Sequence, residues 1–319
     1  MIIFCGFSKN FNDFQCRIID MTSKACIKSM RLRTLPLSLA GVVLGVALAA
    51  DNIDVSPWTA TLIFLTTVCL QILSNLSNEL GDTLNGTDSA DRQGPRYAIS
   101  SGDMTIGDIK KLIGLFIGLC IVFGLAMIQV SFGSIFKAES ICLEALGAAA
   151  IVGAMNYTLG KNPYGYRGLG DASVFIFFGL VSVLGGYYVA ARELPPLIIL
   201  MPASAIGCFS VGVLNVNNIR DIKTDAVNRV TVAIRLGMKG ARIYQTFLIV
   251  LGWVLMLTFS AVYDFAPGHF LFIITFPLYI KHLQGVWTRS ERALDPMLPL
   301  LVISTFILSI LAGAGFLIF

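Results

Sequence analysis

Apolar runs alternate with short polar stretches along almost the whole chain, and most runs approach or exceed the ~20 residues needed to cross a hydrocarbon core. Nine runs predict nine membrane-spanning helices, at approximately 35–50, 58–80, 109–130, 141–158, 172–191, 195–218, 241–263, 270–279 with its flanks, and 299–319. The first and eighth are short. Residues 1–30 mix apolar side chains with Lys9, Asp13, Arg17, Asp20 and Lys24 and hold no sustained apolar core. They read as an N-terminal extension and not as a secretory signal, with Met21 and Met30 as alternative starts and a single membrane-embedded domain over 31–319.

Composition agrees with this pattern. Hydrophobic residues make up 56% and charged residues 13% of the 319, against roughly 25% charged in a soluble domain. Charge distribution adds an orientation. With the N-terminus on the cytoplasmic side, all but Lys137 and Arg192 of the 23 Lys and Arg fall inside, a strong positive-inside pattern. The expected fold is an all-α integral membrane bundle with a cytoplasmic N-terminus. The net charge of +4 comes without a block of like charges, which excludes nucleic acid as a partner. Seven cysteines form no CxxC pair, and P-loop, GxSxG and HExxH motifs are absent.

This orientation sends the C-terminal ends of spans two, four and six to one face, and those ends carry NLSNELGD, NYTLGKNPYGYRGLGD and NVNNIRDIKTD. Asn75, Asn78, Glu79 and Asp82 follow at i, i+3, i+4 and i+7, one face of a helix, with Asp88 and Asp91 six and nine residues beyond Asp82. Asn217, Asn218, Asp221 and Asp225 form a second oxygen-rich face. Carboxylates so close repel one another unless a cation lies among them, and hard oxygen ligands suit Mg²⁺ shared with phosphate oxygens. Arg92, Arg96, Lys161, Arg167, Arg220 and Arg229 stand beside these clusters. Acid and base together are what a metal-bridged diphosphate requires. Tyr157, Tyr164 and Tyr166 belong either to an ordinary interfacial belt or to a site where their π faces meet a cation. Arg31 and Arg33, just before span one, read as positive-inside anchors.

Three segments, SNLSNELGDTLNGTDSADRQGP at 74–95, NPYGYRGLGD with SVFIFFGLVSVLGGYY at 162–188, and LNVNNIRDIKTDAVNRVTVAIRLG at 214–237, resemble the UbiA superfamily of intramembrane aromatic prenyltransferases. Within it they resemble the branch acting on 1,4-dihydroxy-2-naphthoate in menaquinone synthesis. The resemblance implies nine helices around a central cavity open sideways to lipid, in the bacterial inner membrane, with the active site toward the cytoplasm. It implies Mg²⁺ held by Asn75, Asn78, Glu79, Asp82, Asp88, Asn218, Asp221 and Asp225, and diphosphate bound by Lys161, Arg167, Arg220 and Arg96. Asp82, Asp221, Tyr157, Tyr164 and Tyr166 are the expected catalytic residues. Polyprenyl diphosphate and 1,4-dihydroxy-2-naphthoate are the expected substrates, with membrane lipid as surroundings. Glu79 departs from the family's more typical Asn-Asp at this motif. Rival readings are a relative using 4-hydroxybenzoate, homogentisate, haem or chlorophyllide as acceptor, and a transporter, whose polar residues would sit near the bilayer midplane.

Overall fold

A computed structural model describes residues 23–86, 97–227, 229–263 and 265–319. Among them, nine helical stretches are long and apolar enough to cross a membrane, from Ser23–Ala50 to Glu291–Ile318. The architecture is all-α, as the hydropathy pattern predicts. Asp88, Asp91, Arg92 and Arg96 lie outside the described residues.

The chain enters through α1 (Ser23–Met30) and a 3₁₀ turn (Leu32–Thr34) into α2 (Leu35–Ala50), followed by α3 (Pro57–Leu84), α4 (Ile106–Phe132) and α5 (Ala138–Asn156). Local chemistry sets several ends. Thr105 and Asp108 form a reciprocal capping box at the start of α4, and Gly133 closes it in the left-handed region at φ 77°, satisfying amides and carbonyls that a helix end leaves free. α1, within the expected extension, buries Ala25 and Ser29 against the bundle. Lys28 reaches Asp103 at 2.8 Å, and that ion pair with the Ser101 hydroxyl holds the Asp103 carboxyl below its ordinary range.

The fifth span is composite: α6 (Gly170–Val174), a π-helical segment (Phe175–Val181) and α7 (Ser182–Ala191). The wider π turns coincide with very close packing, because a Cβ at Gly179 would stand 2.6 Å from the Gly207 Cα. Only glycine pairs let helices approach so closely. Next come α8 (Leu200–Arg220), the short α9 (Ile222–Asp225), and α10 (Val232–Val262), which Gly237 interrupts with φ 67°. The eighth span combines a 3₁₀ stretch (Pro267–Thr275) with α11 (Phe276–Thr288), and α12 (Met297–Ile318) ends the chain. The 3₁₀ stretch rises faster per residue than an α-helix. This explains how a span that looked short in the sequence crosses the bundle.

Two apolar clusters are the largest. One gathers α2, α7, α8, α10, α11 and α12 around Phe209, Phe259, Phe272 and Tyr279. The other joins α3 to α4 and the 98–104 turn around Leu73, Leu76 and Ile109. A cavity of ≈490 Å³ opens among α2 to α8 and the start of α12. Val42, Ile63, Met127 and Val189 line its apolar end, and Asn78, Asp82, Asn217 and Asn218 its polar end. α5 is the thinnest wall: Ser140 is its one buried residue, although Leu143, Gly147, Ala150 and Ala154 line the cavity.

Candidate active site at the polar end of the cavity

The last turns of α3 carry the first motif. Asp82 is 3% exposed, and its Oδ1 accepts from the Tyr166 hydroxyl at 2.7 Å and from Arg229 Nη2 at 2.8 Å. Tyr166 lies in the loop after α5 and Arg229 in the loop after α9, so this one oxygen joins three segments. The Arg229 guanidinium also covers the Tyr166 ring at 4.6 Å, and Val230 N donates to Tyr166 O at 2.9 Å. A charge-assisted pair of this kind is stronger than a neutral hydrogen bond. Gly81 makes the approach of α3 possible, since a Cβ there would meet the Thr158 Cβ at 2.5 Å. Thr158 in turn faces Ser77 O at 3.0 Å and Asn78 Oδ1 at 3.2 Å.

The other members of the first motif have different surroundings. Glu79 is fully buried but turns from the cavity wall, its Oε1 accepting from Ile99 N at 2.9 Å. Asn75 lines the cavity, yet its Nδ2 donates to Met30 O and Thr34 Oγ1, both at 2.9 Å, while its Oδ1 accepts from Gln71. It holds the 30–34 turn.

On the opposite wall, Asn217, Asn218 and Arg220 face the cavity. Arg220 grips Asp221 through two parallel bonds, Nε to Oδ1 at 3.0 Å and Nη2 to Oδ2 at 2.6 Å. Its Nη1 reaches Asp295 at 2.7 Å, and its Nη2 also reaches Asn217 Oδ1 at 2.8 Å. Asp221 is 1% exposed and stands behind Arg220, off the cavity wall. Asp225 is buried 3.8 Å from Arg229 Nε.

Tyr157 and Tyr164 both line the cavity in an edge-to-face pair, centroids 5.4 Å apart at 88°. The Tyr164 hydroxyl donates to Gly153 O at 2.8 Å. Lys161 and Arg167 are exposed and off the cavity wall. Among the described residues the basic residue that meets a motif carboxylate across the site is Arg229, one neighbour among several in the sequence. Asp295, 75 residues from Arg220, gave no spacing signal.

Hard oxygen donors suit Mg²⁺, and the facing walls offer them in Asn78, Asp82, Asn217 and Asn218. Among the described residues no three His, Cys, Asp or Glu side chains come close enough to hold a metal ion alone. The donor set therefore fits a cation that keeps waters and shares its shell with substrate phosphates. The sequence profile of the UbiA prenyltransferase family matches residues 38–316. The chain belongs to that family.

Its curated relatives include the 1,4-dihydroxy-2-naphthoate octaprenyltransferase of Escherichia coli (strain K12), 37% identical over 86% of this chain and 89% of the relative. The protein of that name from Haemophilus influenzae is 34% identical over 95% and 98%. Among solved structures, a UbiA homolog from Archaeoglobus fulgidus bound to DMAPP and Mg²⁺ superposes with TM-score 0.64, at 12% identity over 92% of this chain and all of that one. The apo UbiA homolog from Aeropyrum pernix K1 gives 0.63, at 17% identity over 90% and 96%. At these identities the structures establish the fold.

Proposed function

We infer that this chain transfers a polyprenyl group from polyprenyl diphosphate to 1,4-dihydroxy-2-naphthoate, releasing diphosphate and CO₂ and giving demethylmenaquinol. The observation that carries the reading is the meeting of Asp82, Tyr166 and Arg229 at the polar end of a cavity whose other end is apolar. Relatives bearing the corresponding name at 34–37% identity support the choice of acceptor.

Mg²⁺, when bound, would neutralise charge on the leaving diphosphate. Asn78, Asp82, Asn217 and Asn218 are the residues that would hold it, with Asp221 and Asp225 steadying Arg220 and Arg229 behind them. Those guanidiniums place positive charge where diphosphate charge develops as the C–O bond breaks. Tyr157 and Tyr164 present ring faces to the resulting allylic cation, and the apolar walls withhold water that would quench it. The electron-rich naphthoate ring attacks the cation, and loss of its carboxylate as CO₂ restores aromaticity.

The Lys and Arg distribution supports an orientation with the polar end toward the cytoplasm, in the bacterial inner membrane. Cysteine-labelling from either side of sealed vesicles tests it. The reaction is tested with purified protein in lipid nanodiscs, Mg²⁺, a polyprenyl diphosphate and one aromatic acid at a time. Mass spectrometry of the lipid should show the prenylated, decarboxylated naphthalenediol with 1,4-dihydroxy-2-naphthoate alone, and EDTA should stop its formation. Product from 4-hydroxybenzoate instead would transfer the reading to another acceptor, and EDTA-resistant turnover would sink the metal site.

A further inference from the structure

Arg31 is built unlike a membrane-interface anchor. It holds a left-handed backbone, φ 49° and ψ 50°, a conformation that a side chain bearing a Cβ rarely adopts and that persists only where neighbours enforce it. The neighbours are identifiable. Thr34 donates both its backbone N, at 2.9 Å, and its Oγ1, at 3.0 Å, to Arg31 O. Gln71 and Asn75 then donate to that same Oγ1 at 3.1 and 2.9 Å, and Asn75 also holds Met30 O. Two amide side chains of α3 are thus spent on the shape of one turn.

That turn aims the side chain. The Arg31 guanidinium lies flat over the Tyr97 ring, 3.4 Å from its centroid, and Arg33 Nη2 donates to the Tyr97 hydroxyl at 3.3 Å. Arg31, Arg33 and Tyr97 all line the cavity. Among the described residues Arg31 Nε and Nη2 nevertheless find no hydrogen-bond partner although both are buried, a costly condition for a cation. These two nitrogens form one edge of the guanidinium. Arg220 uses the same edge to take both oxygens of a carboxylate, at 3.0 and 2.6 Å. A planar edge with two parallel donors matches a carboxylate in shape and charge.

We propose that Arg31, held by Tyr97 and by the Asn75–Thr34 network and supported by the charge of Arg33, binds the carboxylate of the aromatic acceptor. The proposal rests on the prenyl-transfer reading and adds an address for the acceptor: the cavity wall at the turn before α2. Binding there fixes the ring by the group that the reaction later expels. It also separates the two anions, with the diphosphate at the Asp82–Arg229 end and the carboxylate at Arg31. Tyr97 keeps the guanidinium plane from turning, so the acceptor is oriented as well as retained.

The test compares wild type with Arg31→Gln and Tyr97→Leu in nanodiscs, after thermal unfolding has shown that each variant is folded. Equilibrium binding of radiolabelled 1,4-dihydroxy-2-naphthoate, without prenyl diphosphate, should weaken about 10- to 100-fold in Arg31→Gln, the range for losing a charged hydrogen-bonded partner. KM for that acid should rise in parallel, while KM for polyprenyl diphosphate and for the carboxylate-free 1,4-dihydroxynaphthalene stays within about threefold. Tyr97→Leu should show the same selective loss in smaller measure. Equal losses for acid and carboxylate-free diol, or a loss confined to prenyl diphosphate, would overturn the proposal. Wild-type protein that binds the acid but prenylates nothing would refute the prenyl-transfer reading and leave the carboxylate site standing.

Discussion

The two acidic motifs look alike in the sequence and are organised in opposite ways. In the first, the carboxylate faces the cavity and its cation comes from a distant loop: Asp82 meets Arg229 across 147 residues. In the second, the cation faces the cavity and the carboxylate stands behind it, because Arg220 takes its immediate neighbour Asp221 in two parallel bonds. One wall thus sets a carboxylate at the cavity and the other a guanidinium, each held by a partner of opposite charge. A diphosphate needs both, a metal-binding oxygen for some of its charge and a guanidinium for the rest.

This contrast can be broken from its strongest side first. Asp82→Asn keeps the shape of the first wall and removes its charge, and prenyl transfer should fall by about 10²–10³-fold, measured as product formed per folded protein. A variant within threefold of wild type would show that the first wall is not the metal-binding one. Arg229→Met removes the guanidinium from Asp82 and unties the Tyr166 stack, and we expect about a 10²-fold loss with a raised Mg²⁺ requirement in a metal titration. Asp221→Ala leaves Arg220 with Asp295 and Asn217. It should cost activity about tenfold and stability on the order of 3 kcal/mol, as breaking one side of a buried ion pair does, read by thermal unfolding in detergent. Glu79→Gln can still accept from Ile99 N, so turnover should stay within about threefold. A large loss would return Glu79 to the metal site.

Much of this was legible in advance. The nine spans follow from hydropathy because a lipid-facing backbone must satisfy its own hydrogen bonds, and only a helix of sufficient length does so. The meeting of the span ends was legible from the alternation of Lys and Arg. Side-chain rotation at those ends was not. Asn75, Asn78, Glu79 and Asp82 share a helix face only to within about a third of the circumference, and the boundary between cavity and 97–101 turn falls inside that arc. It separates Asp82 from Glu79. Nor does spacing show that Asn75 spends its amide on the Arg31 turn, since Met30 lies 45 residues away. The role of Arg229 depends on Val230 pairing with Tyr166, a contact between loops with no periodic signature.

The thin wall formed by α5 bears on how the enzyme meets its greasy substrate and product. A helix with one buried residue has few side-chain contacts to its neighbours, so shifting it against the rest of the bundle breaks little packing. A polyprenyl chain that enters through that wall has the membrane as its reservoir, and the quantity that saturates the enzyme is then a mole fraction in two dimensions. Diluting the bilayer with inert lipid should slow turnover at constant bulk concentration, whereas diluting the vesicles in buffer should not.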